Sequence, residues 1–470
     1  MRLVVVPPVT DPTVTVVAGE GERLLDLNRR FSMRAADPGV LRVTAAALDT
    51  PGGLDAGHCL LARAAADVFA GPADPATRLR ALGASIRAIS ALDPGISAAI
   101  DDIELRTGST QCGADVALAA DRCTLFDPEL SAVPAAGEVH VVLDSDQQLP
   151  AALRLLGQLR QGSAITTSAI TVGGRFVAAH REALSRLPAL DGVRLDTGRR
   201  PRVITACWSP HEGAGLRWCG DGDQRPDAGH WAGWLDAAAF GELTASELER
   251  CAGLVVSVPR SADPDRPEAD VSAALTALAA RIPVAAEIVV DAPGVDASPA
   301  AWWAQPGCSV RVAGFRPFRP GLSGGAAAPP GHDLARWAAP ATAAILAETA
   351  ALLARHAPRR SLFPGRVAGA LFAAERRPHV WGEHFWDPAV RLVRTEQAAP
   401  DDGAPGDFLV NLRSGALTRV RPPLARLLTR VRLGGPQARH AVGALPAGRR
   451  ERLLAGLVAA GAVSTGRAAA

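Results

Sequence analysis

One alternation between residues 138 and 198 restricts the fold of this chain more than any other feature. "EVHVVLD" is an apolar strand, and "QQLPAALRLLGQLRQG" is a helix with Leu149, Leu153, Leu156 and Leu159 near one face. "SAITVGG" is a second strand, "VAAHREALSRL" a second helix, and "GVRLD" begins a third strand. Strand, helix, strand, helix, strand at these lengths is a series of crossovers in a parallel sheet. The fold class expected is therefore α/β, with a Rossmann-like parallel-sheet domain over residues 1–198. Ligands of such open sheets sit beyond the carboxyl ends of the strands, which in this chain read "LDSDQQ" and "TVGGRF".

The pair Gly173–Gly174 at the second strand end raises a specific question. Without a β-carbon, the backbone there can make a tight turn or admit a flat ligand or a phosphate at close range. Both readings stay open on the residues alone.

With 470 residues the chain exceeds one ordinary core, so two or three domains are expected. Over residues 199–395, "PRVITACW", "GLVVSVP", "PVAAEIVVDA" and "CSVRVAGF" read as strands of an α/β barrel or another parallel sheet. Two helical runs follow, "DLARWAAPATAAILAETAALLARHA" and "GRVAGALFAAE". "EQAAPDDGAPGD" has the composition of a linker. After it, residues 406–465 form a compact module: a hairpin, "FLVNLRSGALTRV", then the helices "PPLARLLTRV" and "AGRRERLLAGLVAAGAV".

Composition enters as exclusions. The chain has no lysine, so neither a Schiff base nor a phosphate-loop lysine is available. A formal charge of +2, taken as spread along the chain, gives no electrostatic case for nucleic acid. No apolar run is long enough to cross a bilayer, and "MRLVVVPPV" is a short strand rather than a leader, so no membrane partner and a cytoplasmic location are expected. The seven cysteines come no closer than eleven and twelve residues apart, which suits buried thiols and no metal site. His379, Glu383 and His384 stand together, but a spacing of five fits no zinc motif, and aromatic packing is the better account. His211, Glu212 and Cys219 admit a Cys–His nucleophile, although Cys219 in "GLRWCGDG" reads better as part of a hairpin.

The stretch from Val139 to Gly198 resembles the cobalamin-binding domain of cobalamin-dependent radical SAM proteins of the ribosomal-peptide maturation type. It keeps, in order, Gln148, Pro150, Ala151, Gly173, Gly174, Asp191 and Val193, and "LLDLNRRF" matches an earlier Asp-Leu-Asn element at Asp26, Leu27 and Asn28. The resemblance implies a cobalamin site at Asp144, Ser145, Gln148, Ser168, Gly173 and Gly174, and SAM as a second cofactor. The Asp-x-His-x-x-Gly element of free-standing corrinoid modules is missing. So are the three cysteines that hold the family's cluster: "CAGLVVSVPRSADPDRPEAD" has none beyond its strand. The expectation is a degenerate radical SAM-like barrel over residues 199–395 without an iron–sulfur cluster.

Residues 406–465 resemble the winged-helix element that binds leader peptides in such pathways, with Asn411, Gly415 and Arg419 in register. This implies peptide contacts at Leu409, Asn411, Leu412, Arg419 and Leu424. The protein is then expected to be an auxiliary, non-catalytic partner that binds corrinoid, precursor peptide or both for a catalytic maturation enzyme. The alternatives are a cobalamin- and SAM-dependent methyltransferase working without a cluster, and a scaffold that binds neither ligand.

Overall fold

The computed structural model describes residues 2–9, 15–49, 56–73, 75–99, 103–108, 113–134, 137–143, 145–161, 169–197, 379–395, 406–412, 415–430 and 436–465, with the strands and short helical stretches between 202 and 317. The amino-terminal elements are β1 (Arg2–Val6), β2 (Thr15–Val17), β3 (Glu22–Asp26), α1 (Leu27–Ala35), α2 (Pro38–Leu48), α3 (Ala56–Ala70) and α4 (Pro75–Ser90). They are followed by the hairpin β4 (Ile96–Ala98) and β5 (Ile103–Leu105), then α5 (Gly113–Arg122) and α6 (Asp127–Leu130). The regular alternation comes next: β6 (Glu138–Val142), α7 (Leu149–Gln161), β7 (Ile170–Gly173), α8 (Arg175–Leu184) and β8 (Arg194–Asp196).

Five of these strands form one sheet in the order β3-β1-β6-β7-β8, and every pairing is parallel. The Rossmann-like expectation holds at this level. Along the chain the order reads 2-1-3-4-5, so connections leave in opposite directions on either side of the β1/β6 boundary. Leu3, Val5, Val139, Val141, Ile170 and Val172 are buried, and so are Val4, Val6 and Val142, which pack with Val16 of β2. Both faces are covered, which explains apolar runs such as "LVVV" without polar alternation. Leu149, Leu153 and Leu156 are buried as the helical spacing requires, and α5 lies beside α7.

A second sheet contains β9 (Arg202–Trp208), β10 (Leu216–Gly220), β11 (Trp231–Asp236), β12 (Cys251–Pro259), β13 (Val284–Val290) and β14 (Arg311–Pro317). Their order is β10-β9-β11-β12-β13-β14, with β2 also on β9. β11 to β14 are parallel, and β9 and β10 make the hairpin expected around Cys219. Among the described residues no pairing joins β10 to β14, and no closed barrel is formed by them. A short helix, α9 (Ala245–Glu249), precedes β12. The helical runs expected around 333–357 and 365–375 lie outside the described residues.

Contacts divide the chain into two units, one of Met1–Met33, Asp93–Arg360 and Pro364–Ala374, the other of Arg34–Leu92, Ser361–Phe363 and Glu375–Ala470. The second unit holds α2 to α4 together with β15 (His379–Trp381), β16 (His384–Trp386), β17 (Val390–Thr395), β18 (Gly406–Asn411) and β19 (Leu417–Val420). It closes with α10 (Pro422–Arg430), α11 (Pro436–Gly443), α12 (Ala447–Ala459) and β20 (Val463–Thr465). The strands make two antiparallel sheets, β15-β16-β20 and β17-β18-β19.

Residues 406–465 thus pack within a wider unit. Leu409, Val390 and Val420 join Ala425, Leu428, Leu454 and Leu457 in one core. The alternate residues of β18, Phe408 and Val410, are equally buried, and α3 packs on β17 and β18. Arg63 of α3 donates through Nη1 to the Arg394 carbonyl at 2.7 Å, and the hairpin residue Leu417 approaches Gly57.

Candidate ligand and peptide sites

At the carboxyl end of β1 the chain turns through Pro7, Pro8 and Val9. Val9 is buried with φ 65, a left-handed conformation that strains a β-branched residue. On the neighbouring strand, β6 runs out through Leu143 and Ser145 into a single 3-10 turn, Asp146–Gln148. Gln148 is buried between the two strand ends. Its Oε1 accepts the Ser145 N–H at 3.3 Å, and its Nε2 donates to the Pro7 carbonyl at 3.4 Å. The glutamine singled out for a cofactor therefore ties β1 to β6 where the strand order reverses.

Asp146 and Gln147, absent from the sequence-derived site, are buried beside it. The Gln147 Oε1 accepts the Ile103 N–H, which fixes the amide orientation, while its buried Nε2 has no hydrogen-bond partner among the described residues. Their signal was the polar run "SDQQ" directly after an apolar strand. Asp144 and Ser168 lie outside the described residues.

The two glycines serve contacts within the chain. Gly174 has φ +124, and a β-carbon on it would stand 2.2 Å from the Leu143 carbonyl oxygen. That carbonyl accepts the Phe176 N–H at 3.2 Å, and Leu143 donates to the Gly173 carbonyl at 2.7 Å. A β-carbon on Gly173 would meet His140 Cε1 at 2.8 Å and the Asp196 carbonyl at 3.2 Å. The close approach signalled by Gly-Gly is made by Leu143 and His140. His140 is itself buried, with Nδ1 2.8 Å from Arg2 Nη2. A guanidinium only donates, so Nδ1 accepts and the imidazole is neutral, with its proton on Nε2.

Asp93 shows how the same unit treats a buried carboxylate. Its two oxygens accept backbone N–H groups from Gly95, Ile96, Thr124 and Leu125 at 2.7–2.9 Å. Burial, with Asp93 nearby, pushes the Cys123 thiol up to about 12, and burial also raises Cys59. Neither is poised as a thiolate nucleophile.

In the second unit the peptide residues implied by the resemblance separate into interior and surface. Leu409 and Leu412 are buried, and Leu424 is half-buried against the same core. Asn411 is buried and donates through Nδ2 to the Gly461 carbonyl at 3.0 Å, tying the hairpin to the chain before β20. Arg419 is exposed on β19. What remains beside these side chains is the strand edge. Asn411 donates to the Ala416 carbonyl at 2.9 Å, so antiparallel alternation turns Thr418 toward β18 and Leu417 and Arg419 outward. Among the described residues no strand pairs with that outer edge of β19.

The charge of this segment corrects the impression of an even spread. Residues 406–465 contain ten arginines against two acids, Asp407 and Glu451, a formal +8 within a chain of +2. The remainder of the chain is therefore at −6. Counting charge by segment rather than over the whole chain would have found this.

Elsewhere in the unit, His379 Nε2 lies 2.6 Å from the Gly382 carbonyl and His384 Nδ1 3.1 Å from the Trp381 carbonyl. Both imidazoles hold their own hairpin turn. Among the described residues no group of three His, Cys, Asp or Glu side chains is placed to hold a metal, and no helix is long and apolar enough to cross a membrane. No family model matches the chain, and neither does any curated protein or solved structure.

Proposed function

We propose that the protein is an auxiliary, non-catalytic partner in the maturation of a ribosomally synthesised peptide. It holds the precursor as an added strand along the outer edge of β19 and presents it to a separate enzyme. The observation supporting this reading is the edge itself. Leu409 and Val420 join the unit's helices in one core, α3 packs on β17 and β18, and among the described residues no strand pairs with the outer edge of β19. The test is a titration of the full chain with a fluorescent leader peptide encoded beside the gene. Leu417→Pro removes an outward N–H and should abolish binding, whereas Leu417→Ala, which removes only the side chain, should retain it. Equal binding by the proline variant would overturn strand addition.

A corrinoid at the carboxyl ends of β1, β6 and β7 is the second reading, supported by the reversal of strand order and the unmet Gln147 amide. The glycine pair does not fit a corrinoid approach, because Leu143 already fills it. Hydroxocobalamin added to the purified chain should shift its absorbance if this reading holds. Methyl transfer to the bound corrinoid would point to the methyltransferase, and binding of neither peptide nor corrinoid to a scaffold.

A further inference from the structure

One row of polar side chains crosses the parallel sheet, and neither ligand reading uses it. Register pairs Arg2 with Glu22 and with Glu138, His140 with Thr171, and Thr171 with Arg194. Residues in register, and those two apart on one strand, share a face, so all six belong to one side of the sheet. His140 and Thr171 are buried there. Across the β1/β6 boundary Arg2 Nη2 donates to His140 Nδ1 at 2.8 Å. We infer that Arg2 and His140 form an acid-sensitive latch on this boundary, closed by the neutral imidazole and opened when Nδ1 takes up a proton.

Nδ1 has one lone pair, and the Arg2 hydrogen bond occupies it. A proton on that nitrogen ends the bond and sets an imidazolium against a guanidinium, which does not give up its own charge. Burial of His140 keeps out the water that would screen the two cations. The other charges on this face stand further off or meet solvent. Glu22 and Arg194 lie two strands from β6, and so does the half-buried Asp196, in register with Gly173. Glu22 Oε1 is 3.9 Å from Arg2 Nη1, and its Oε2 accepts the Gly19 N–H at 2.8 Å. Arg194 donates to the Thr171 hydroxyl at 3.0 and 3.2 Å. Glu138, two residues before His140, is exposed. Val16 of β2 packs on this face beside Val4 and Val142, and β2 carries no charge. The charge in contact with the imidazole is therefore the guanidinium.

The sign follows. Within the closed sheet His140 stays neutral, whereas in the opened boundary it titrates as an ordinary imidazole, near about 6.5. Opening thus takes up a proton. It becomes easier as the pH falls through that value, and the latch holds above it.

The experiment follows amide hydrogen exchange in β1 and β6 of the full chain at about pH 7.5 and about pH 5.5, corrected for the intrinsic rate. The opened population should rise about tenfold at the lower pH, as one proton acting over one unit requires. His140→Asn offers an amide oxygen near the place of Nδ1 and cannot be protonated, so its rise should be about tenfold smaller. Arg2→Met removes the guanidinium and leaves the ring buried. His140 then charges within the folded sheet, and the rise should shrink in the same way. A wild-type rise in His140→Asn would overturn the latch. So would an undiminished rise in Arg2→Met, which would mean that burial alone keeps the ring neutral. If neither variant folds, nitrogen NMR of the wild-type imidazole decides: Nδ1 should lack a proton at about pH 5.5, and an imidazolium signal there would overturn the inference.

Discussion

The strand ends of the parallel sheet and the outer edge of β19 are both places where backbone comes close to something, but they are completed differently. At β6 and β7 the chain completes the contact itself: Leu143 sits against Gly174, and Gln148 spans from Ser145 to Pro7. At the outer edge of β19 the described residues supply no pairing strand. A glycine pair announces a close approach without saying whose atoms make it, whereas an open edge is announced by no residue type at all. This difference moves the weight of the functional reading from the glycines to the edge.

The comparison breaks most directly at Gly174. Gly174→Val places a branched side chain at φ +124 against a carbonyl, and we expect a loss above about 4 kcal/mol, or failure to fold, measured by urea unfolding. A variant that unfolds at the wild-type midpoint would return the glycine to a ligand role. Asp93→Ala leaves four backbone donors without their acceptor and should lower stability by about 3 kcal/mol, which would show how firmly this unit's loops are fixed. Gly173→Ala should cost only about 1–2 kcal/mol, because the nearest obstacle is the His140 ring, a side chain that can shift.

At the open edge the matching perturbation should be mild. Leu417→Pro removes no bond of the β18–β19 ladder and should lower stability by about 1 kcal/mol or less in a thermal melt. A much larger loss would mean that the edge is already engaged within the protein.

The smallest effect expected is a pH dependence at Asp26, at the end of β3. Burial holds its carboxyl above its ordinary value of 3.8, against the Arg29 N–H that it accepts. The folded state therefore keeps this proton more tightly than the unfolded one. Its contribution is present in full below 3.8 and is lost as the pH rises through the folded value. Asp26→Asn should flatten the dependence of stability on pH across that acid window while keeping the cap on α1. An unchanged pH profile would show that burial does not govern this carboxyl.

Local pattern made much of this architecture readable. The β6–α7–β7–α8–β8 series and the β18–β19 hairpin are set by spacings of two and of three to four residues, and those spacings report burial within a single element. The run "VRLVRT" of β17 was less visible, since its partner strand begins eleven residues beyond its end, and three-residue β20 is too short to carry a period. The charge of residues 406–465 was present in the letters and was lost by averaging over the chain.

By itself, the sequence determined the parallel α/β series, the hairpin, the amphipathic helices and the basic carboxyl-terminal segment, because each depends on residues a few positions apart. Only the tertiary structure decided that α2 to α4 share a unit with β17 and β18, that Leu143 fills the approach at Gly174, and that Leu409 and Asn411 lie inside while Arg419 of β19 lies outside. Those outcomes depend on which distant segment covers a face or occupies a gap. Periodicity shows that an apolar face must be covered, but only long-range packing determines what covers it.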